Sequence, residues 1–471
     1  MSPMNFSPLK GLDRTAVLTA VAVISGVITV ILDTTIVSVA LHELADELSV
    51  PVSTIQWVST AYLLALGTVI PTTSWLQAKV GGKRLWMMAL TVFTLGSVLC
   101  SLAWSAPSLI AFRVVQGMGG GVMMPLMMTM VAQAAPQRDM ARLMSIVSIP
   151  AALGPILGPV LGGFILGNAS WHWLFLVNAP VGAVGLFLAW KLIPASEPEK
   201  GARLDVVGLL MLSPALVAIL WGLSNVSGEI GFADPMVFLP VGAGVALLVA
   251  FALWSRRRGH AALVHLDVLR SRPTLVASGM MFLFGASLFG GLTLLPLYYQ
   301  DLRGADALGA GMLLIPQGVG SLVSRFFAGR LIDSIGARIT GFMGFTLITL
   351  ATVPFAMADG ETSMQLLSVA LFFRGMGIGT VVVPVMSSAF TELERNEVPH
   401  ASIIVRVCQQ VGGAVGVALV AVILTTVTQS SGSAATGFDT AFSWVIGFAV
   451  LGIGVALALP GRRRAEETAP A

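Results

Sequence analysis

The chain has 471 residues, of which 56% are apolar and only 10% are charged, with a net charge of +3. A soluble protein carries about 25% charged residues, so this chain cannot cover a water-facing surface, and a mean hydropathy of +0.89 points to a protein that crosses a membrane many times. Strand-length alternation is missing, which leaves helices as the spanning element; Cys100 and Cys408, the two cysteines, both lie inside apolar runs and indicate neither a disulfide framework nor a zinc site.

A helix needs about 20 apolar residues to cross the hydrocarbon core. In chain order such runs occupy 15–41, 53–77, 85–104, 107–132, 142–167, 174–194, 206–224, 235–254, 274–299, 308–332, 339–358, 364–388, 400–427 and 440–460, fourteen in all. The first is too long for a signal-peptide core and lacks a clean cleavage site, so it is expected to be retained. An even count puts both termini on one side. With the N-terminus inside, 21 of the 26 Lys and Arg fall in cytoplasmic segments and only Arg303 falls outside; Arg113, Arg325, Arg374 and Arg406 lie within runs. That asymmetry is the positive-inside pattern. It explains a pI near 9.1 by contact with anionic lipid head groups, without nucleic acid. The expectation is a multi-pass protein of the bacterial plasma membrane with both termini cytoplasmic.

The chain repeats itself. GMGGGVMMP at 117–125 returns as GMGIGTVVVP at 375–384, and the loop KVGGKR at 79–84 returns as RLIDSIGAR at 330–338, at offsets of 258 and 255 residues. Equal offsets at two places indicate a duplicated unit. The offset is too long for two plain six-helix halves, and the excess is the pair of runs at 206–254. The expected layout is a six-helix half (1–194), a two-helix insert with polar linkers (195–260), a second six-helix half (261–460) and a cytoplasmic tail (461–471). The fifth run contains GPILGPVLGGFILG. Its small residues suit close helix packing, and its prolines interrupt the hydrogen-bond ladder where transporters bend or line a cavity.

These residues resemble the major facilitator superfamily, and more narrowly its fourteen-helix drug:proton antiporters of the EmrB/QacA type. The resemblance rests on LDTTIVSVAL with Asp33 in the first run and on Arg113, Gln116, Gly117 and Gly119 in the fourth. It rests also on Gly154, Gly158, Pro159, Gly162 and Gly163 in the fifth, on WHWLFLVNAPVG at 171–182, and on Asp205 to Gly208 opening the insert. It implies an all-α, major-facilitator-type membrane protein with 14 helices that exports amphiphilic small molecules in exchange for protons by alternating access. It also implies that the fifth-run glycines form the antiporter motif. The cytoplasmic gate loops would be Lys79, Gly81, Lys83 and Arg84 in the first half, and Arg330, Asp333, Gly336 and Arg338 in the second. Ala78 stands where the first loop of the family carries an acid, whereas the second keeps Asp333. By the same resemblance Gln56, Trp57 and Tyr62 are candidate cavity contacts.

A charge within a span costs about 2.5–3.5 kcal/mol by insertion scales, so each needs a reason. Asp33, the only acid deep in any run, lies about 12 Å from the outer end of its helix, and Arg113 lies about 9 Å into a helix descending from the same side. We expect one polar network of Asp33 and Arg113 facing a central cavity. Burial disfavours the charged carboxylate and a nearby Arg favours it, so Asp33 could carry the coupling proton; the alternative is a static ion pair. Arg374, near the midplane, is expected to face protein or water. Arg325 and Arg406, within about 10 Å of the cytoplasmic ends of their helices, either snorkel to head groups or make a positive inner vestibule suited to anionic or zwitterionic cargo. Gln116, Arg374 and Arg406 complete the candidate cavity set. Met, Phe and Trp, at 22, 23 and 10 residues, can line an adaptable apolar pocket, although Met123, Met124, Met127 and Met128 taken singly are more often plain packing or lipid-facing. Tyr298 and Tyr299 suit an interfacial aromatic belt, and Asn178 and Pro180 suit the start of the sixth helix.

An enzyme would need converging acid, base or nucleophilic groups, and all five histidines sit at span ends or in loops. An ATP-driven pump would need a phosphate-cradling Gly-Lys-Ser/Thr loop; the one Gly-Lys pair, Gly82-Lys83, is followed by Arg84. No metal or other cofactor is expected. The expected partners are small molecules, protons and lipid, with the chain a monomer. Proton-coupled symport, or export of a dedicated anionic or zwitterionic metabolite, are the alternatives within transport.

Overall fold

Proline and glycine punctuate the apolar runs and set where each rod bends or turns. In a computed structural model, residues 13–134, 140–147, 149–198, 204–226, 231–305, 307–358, 361–394 and 396–460 are described. The tail 461–471 and the side chains of Gln56 and Pro159 lie outside the described residues. The described chain is helical, with no strand. In order come α1 (Arg14–Val39), α2 (Leu41–Glu47), α3 (Val52–Val69), a 3-10 turn (Ile70–Thr72), α4 (Thr73–Val80), α5 (Gly82–Ser101), α6 (Ala106–Ala134), α7 (Met140–Val147), α8 (Ile149–Asn168), α9 (His172–Leu176) and α10 (Asn178–Leu192). The two insert helices are α11 (Val206–Ser224) and α12 (Pro235–Arg258). Then follow α13 (Arg272–Leu297) with a π turn (Tyr298–Leu302), α14 (Ala307–Leu313), α15 (Ile315–Ile335), α16 (Ala337–Ala356), α17 (Met364–Ala389), α18 (Val398–Ser431) and α19 (Ala434–Ala456).

Among the described residues, eleven helical stretches are long and apolar enough to cross a membrane. Two of the other three expected runs are segmented, α3 to α4 by the turn that holds Pro71 and α14 to α15 by a turn at Leu314; the fifth run falls on α7 and α8, with residue 148 between them outside the described residues. Pro71 has no N–H for the ladder, so the second rod changes pitch there.

The packing of α1 to α10 recurs in α13 to α19. Helix α1 lies against α8 and α10, and α13 against α18 and α19; α6 is held between α3 and α5, and α17 between α15 and α16. The repeated glycine motif explains the second pair. A Cβ on Gly117 or Gly121 would come within 2.6 Å of the Tyr62 or Leu66 carbonyl of α3, and one on Gly119 within 2.6 Å of Phe93 N of α5. In the second set Gly375 and Gly379 meet the Gln317 and Ser321 carbonyls of α15, and Gly377 meets Gly344 and Ile348 of α16. Three glycines spaced two apart thus bring a helix into backbone contact on both flanks at once. The loops repeat for the same kind of reason: Gly81 and Gly336, at φ +83° and +87°, turn α4 into α5 and α15 into α16 in a conformation that only glycine adopts readily.

One apolar core spans both helix sets at the end carrying the basic loops, from Ala16 and Trp86 to Phe390 and Ile403. At the opposite end each set keeps its own cluster, around Ile36 and Phe175 in the first and around Tyr298 and Phe442 in the second. Tyr298 and Tyr299 are therefore not an interfacial belt. They are 0% and 1% exposed, and Tyr298 sits edge-on to Phe355, Phe438 and Phe442 at 5.8–6.1 Å between ring centres. Buried aromatic contacts of this geometry outweigh an interfacial position.

The insert covers one flank. Helix α11 packs on α3 of the first set and α18 of the second, with Ser213 Oγ donating to the Thr68 carbonyl at 2.7 Å and Ile219 and Leu223 meeting Ala418 and its neighbours. Helix α12 rides outside α11 and presents Leu239, Val249 and Leu253 outward. Asp205 ties the insert together. Its buried carboxylate caps α11 through Gly208 N at 3.0 Å, accepts Trp254 Nε1 of α12 at 3.0 and 3.1 Å, and accepts Leu263 N of the following linker at 3.1 Å. This explains why an acid three residues before a glycine opens the insert. Asp205→Ala would strand three donors at about 1–3 kcal/mol each. Faster amide exchange in 204–263, with little change in α1 to α10, is the expected result; unchanged exchange there would show that the carboxylate does not hold the insert.

Candidate functional site

The polar residues of the first helix set converge on one point. Asp33 of α1 is 0% exposed and Arg113 of α6 is 1% exposed, and Arg113 Nη1 donates to Asp33 Oδ2 at 2.5 Å. Gln116, one turn along α6, donates to Asp33 Oδ1 at 2.9 Å and accepts from Arg113 Nη1 at 2.7 Å. Asn178, the first residue of α10, donates to Asp33 Oδ1 at 3.1 Å, and Ser97 of α5 bridges Gln116 and Asn178 at 3.1 and 3.0 Å. The ladder breaks between α9 and α10, close to Pro180, and there the Phe175 carbonyl accepts from Ser97 Oγ at 2.9 Å. Arg113 also donates through Nε to the Val58 carbonyl at 3.2 Å and lies 4.1 Å over the Tyr62 ring. Charge, partner and remaining hydrogen-bonding capacity are thus matched, which is what keeps a buried pair tolerable.

The pair expected from equal depth is present, but it does not face the cavity. A cavity of about 250 Å³ lies between the two helix sets, and from α1 it is lined by Val27, Ile31, Thr34 and Thr35. At 100° per residue Asp33 points roughly opposite Ile31 and Thr35, into the first helix set. The antiporter-motif glycines press on the cavity side of the same turn: Gly154 packs against Ile31 and Gly158 against Thr35. Gly162 is buried and Gly163 half-buried further along α8.

Of the expected cavity residues, Arg406 lines the cavity and four others do not. Gln116 and Tyr62 belong to the Asp33 cluster. Trp57 is 42% exposed on α3 and outside the cavity lining. Arg374 is 1% exposed inside the second set, donating to Gln317 Oε1, to Thr352 Oγ1 at 3.3 Å and to the Ser287 carbonyl at 3.2 Å. The repeat explains that position: at offsets of 258 and 255, Arg374 stands where Gln116 stands, Thr352 where Ser97 stands and Gln317 where Tyr62 stands. The second set therefore holds a guanidinium among neutral acceptors where the first holds an acid and a base.

Arg325 and Arg406 do not snorkel. Arg325 is 3% exposed, Arg406 is half-buried, and both line the cavity. Ser97 joins the cluster without any motif that marks it, a polar side chain in an otherwise apolar run being its one signal, whereas Asn178 lies within WHWLFLVNAPVG at 171–182 and is expected from the sequence only to shape the start of the sixth helix.

At the basic end Arg142 of α7 pairs with Asp333 of α15, Nε to Oδ2, at 3.2 Å. The repeat maps Asp333 onto Ala78 and Arg142 onto His400. Ala78 and His400 both line a polar pocket of about 330 Å³, so the acid missing from the first loop leaves a recess where a second ion pair would lie. The first loop is fastened differently. Lys83 Nζ donates to the Trp190 carbonyl at 2.7 Å, Lys83 N to Ser196 Oγ at 3.2 Å, Gly81 abuts Ser196, and Lys79 lies 4.8 Å over the Trp75 ring. Arg84, Arg330 and Arg338 are exposed at this end. Among the described residues no group of three or more His, Cys, Asp or Glu is gathered as a metal would require.

A bundle of many apolar helices, two similarly packed sets and a cavity between them define a multi-pass membrane transport protein. The chain belongs to the Major Facilitator Superfamily, which it matches over residues 23–417. It is 36% identical over 417 residues to a multidrug resistance protein B homolog of Mycobacterium tuberculosis, covering 88% of this chain and 76% of the relative. It is 29% identical over 347 residues to a putative multidrug resistance protein MdtD of Pectobacterium carotovorum, covering 73% of each. The solved structure of a major facilitator proton:xylose symporter superposes with a TM-score of 0.66 at 14% identity, over 93% of this chain and 94% of the other, a likeness of fold.

Proposed function

We propose that the protein exports amphiphilic small molecules in exchange for protons, with Asp33 carrying the proton. The observation behind this reading is the placement of a fully buried carboxylate on the turn of α1 whose other face lines the cavity. Ionised, Asp33 accepts from Arg113, Gln116 and Asn178 and ties α1 to α6 and α10. Protonation removes the charge and turns one acceptor into a donor, which loosens that tie. Cargo pressing on Ile31, Thr34 and Thr35 acts on the same turn, so cargo and proton bias one element from opposite sides. In this reading the basic end is cytoplasmic, all 14 rods cross the membrane, the two helix sets rock about the cavity, and the Arg142–Asp333 pair opens when the cytoplasmic side does. The drug-resistance names of the relatives favour export over import.

The test is dye accumulation in a pump-deficient bacterial host expressing the chain. Wild type is expected to lower the accumulation of some members of a panel of amphiphilic dyes, and an uncoupler should abolish the difference. Asp33→Asn, present at normal levels in the membrane, should lose uncoupler-sensitive efflux. Efflux unchanged by Asp33→Asn, or indifferent to the uncoupler, would overturn the assignment.

A further inference from the structure

We infer that the central cavity selects cargo bearing an acidic group on an apolar body, with Arg325 and Arg406 as its anchors. The inference rests on the transport reading above and specifies the chemical class of cargo for that cavity.

Two guanidinium groups from different helices, α15 and α18, line the cavity, and no carboxylate does among the described residues. Asp33, the acid on the neighbouring turn of α1, is turned away and already committed to Arg113. Gln409 Oε1 accepts from Arg406 Nη1 at 2.5 Å and orients the group, while Arg406 Nε has no partner among the described residues. An arginine cannot shed its charge, and in a low-dielectric space a positive charge without an anion is costly. A carboxylate, sulfonate or phosphate supplies that anion with charge-assisted hydrogen bonds, and the planar fork of Arg suits it. A cationic cargo would meet two like charges at the cavity wall and no carboxylate among its described lining residues.

The rest of the wall is apolar and adaptable. Met124 and Met128 of α6 and Met281, Phe284 and Phe289 of α13 line it. Unbranched thioethers and aromatic faces accept apolar bodies of varied outline. Charge would therefore be selected sharply and shape loosely. Arg374, buried inside the second helix set, does not take part, because Gln317, Thr352 and the Ser287 carbonyl already accept from it.

The test uses the full-length protein in lipid nanodiscs and three tritiated probes of one ring system: 2-naphthoate, the neutral 2-naphthamide and the cationic 2-naphthylmethylammonium. Equilibrium dialysis against empty nanodiscs measures saturable binding. Naphthoate should bind at least about tenfold more tightly than either analogue, as expected for charged hydrogen bonds made or missing. Arg406→Gln and Arg325→Gln, each monodisperse by size exclusion, should weaken naphthoate about tenfold or more and leave naphthamide unchanged. Arg406→Lys should recover part of the loss, because the charge returns without the fork. No saturable naphthoate binding, equal or tighter binding of the amide or the ammonium probe, or an equal loss of acid and amide in the glutamine variants would overturn the inference. Binding needs neither a gradient nor Asp33, so this result is independent of whether the dye experiment upholds proton-driven export.

Discussion

Arg113→Met should cost the protein about 3–5 kcal/mol, because it leaves the buried Asp33 carboxyl without its partner. The environment around that carboxylate is closed: Asp33 is 0% exposed, and Gln116 and Asn178 share Oδ1, leaving Oδ2 to Arg113. Asp33→Asn alone strands the guanidinium instead, though the Val58 carbonyl and Gln116 still accept from it, so its cost should be smaller. The double substitution removes both charges and should recover much of the loss, a coupling of up to about 3 kcal/mol between neighbouring sites. Thermal unfolding of the detergent-solubilised protein, followed by intrinsic tryptophan fluorescence, checks all three. Additive losses in the double variant would show that the pair is not energetically coupled.

Gly375→Ala is the second large effect. A Cβ there overlaps the Gln317 carbonyl of α15, which is backbone and cannot rotate aside. The helices must separate, at about 1–3 kcal/mol or more for an overpacked contact, and the shift falls one residue from Arg374, whose Nη1 donates to the Gln317 side chain. Gly447 of α19 is the control, with nothing within 4 Å of an added Cβ. In a helix Ala is favoured over Gly by about 1 kcal/mol, so Gly447→Ala should be neutral or stabilising while Gly375→Ala lowers the unfolding temperature and the folded yield. The same sign for both would mean that the glycine motif is not a close-packing device.

Both effects trace back to features written in the amino-acid sequence. The repeat of GMGGG as GMGIG, the paired loops and the excess of 206–254 lead to the expectation of two related helix sets and an insert, because duplicated packing demands duplicated small residues at the same spacing. Similar depth for Asp33 and Arg113 follows from counting residues at about 1.5 Å each. The 258-residue offset even contains the position of Arg374, as the counterpart of Gln116 among buried acceptors, once Gln116 is known to be buried.

Azimuth is what the chain could not supply. A helix apolar round its whole circumference carries no polar face to mark which side meets lipid, a neighbour or a cavity. So counting residues gives a depth for Asp33 along α1, while only tertiary packing turned it into the first helix set and gave the cavity to Ile31, Thr34 and Thr35. The same ambiguity covered Arg325 and Arg406, near enough to a helix end to reach the head groups and yet pointed inward once α15 and α18 were packed. It covered Tyr298 and Tyr299, which aromatic neighbours from α16 and α19 enclose. Ser97 and Asn178 joined Asp33 for a related reason. Residues 64 and 145 positions away in the chain reach one carboxylate cluster only because α1, α5 and α10 pack together, and a single sequence records which residues are polar but not which of them meet.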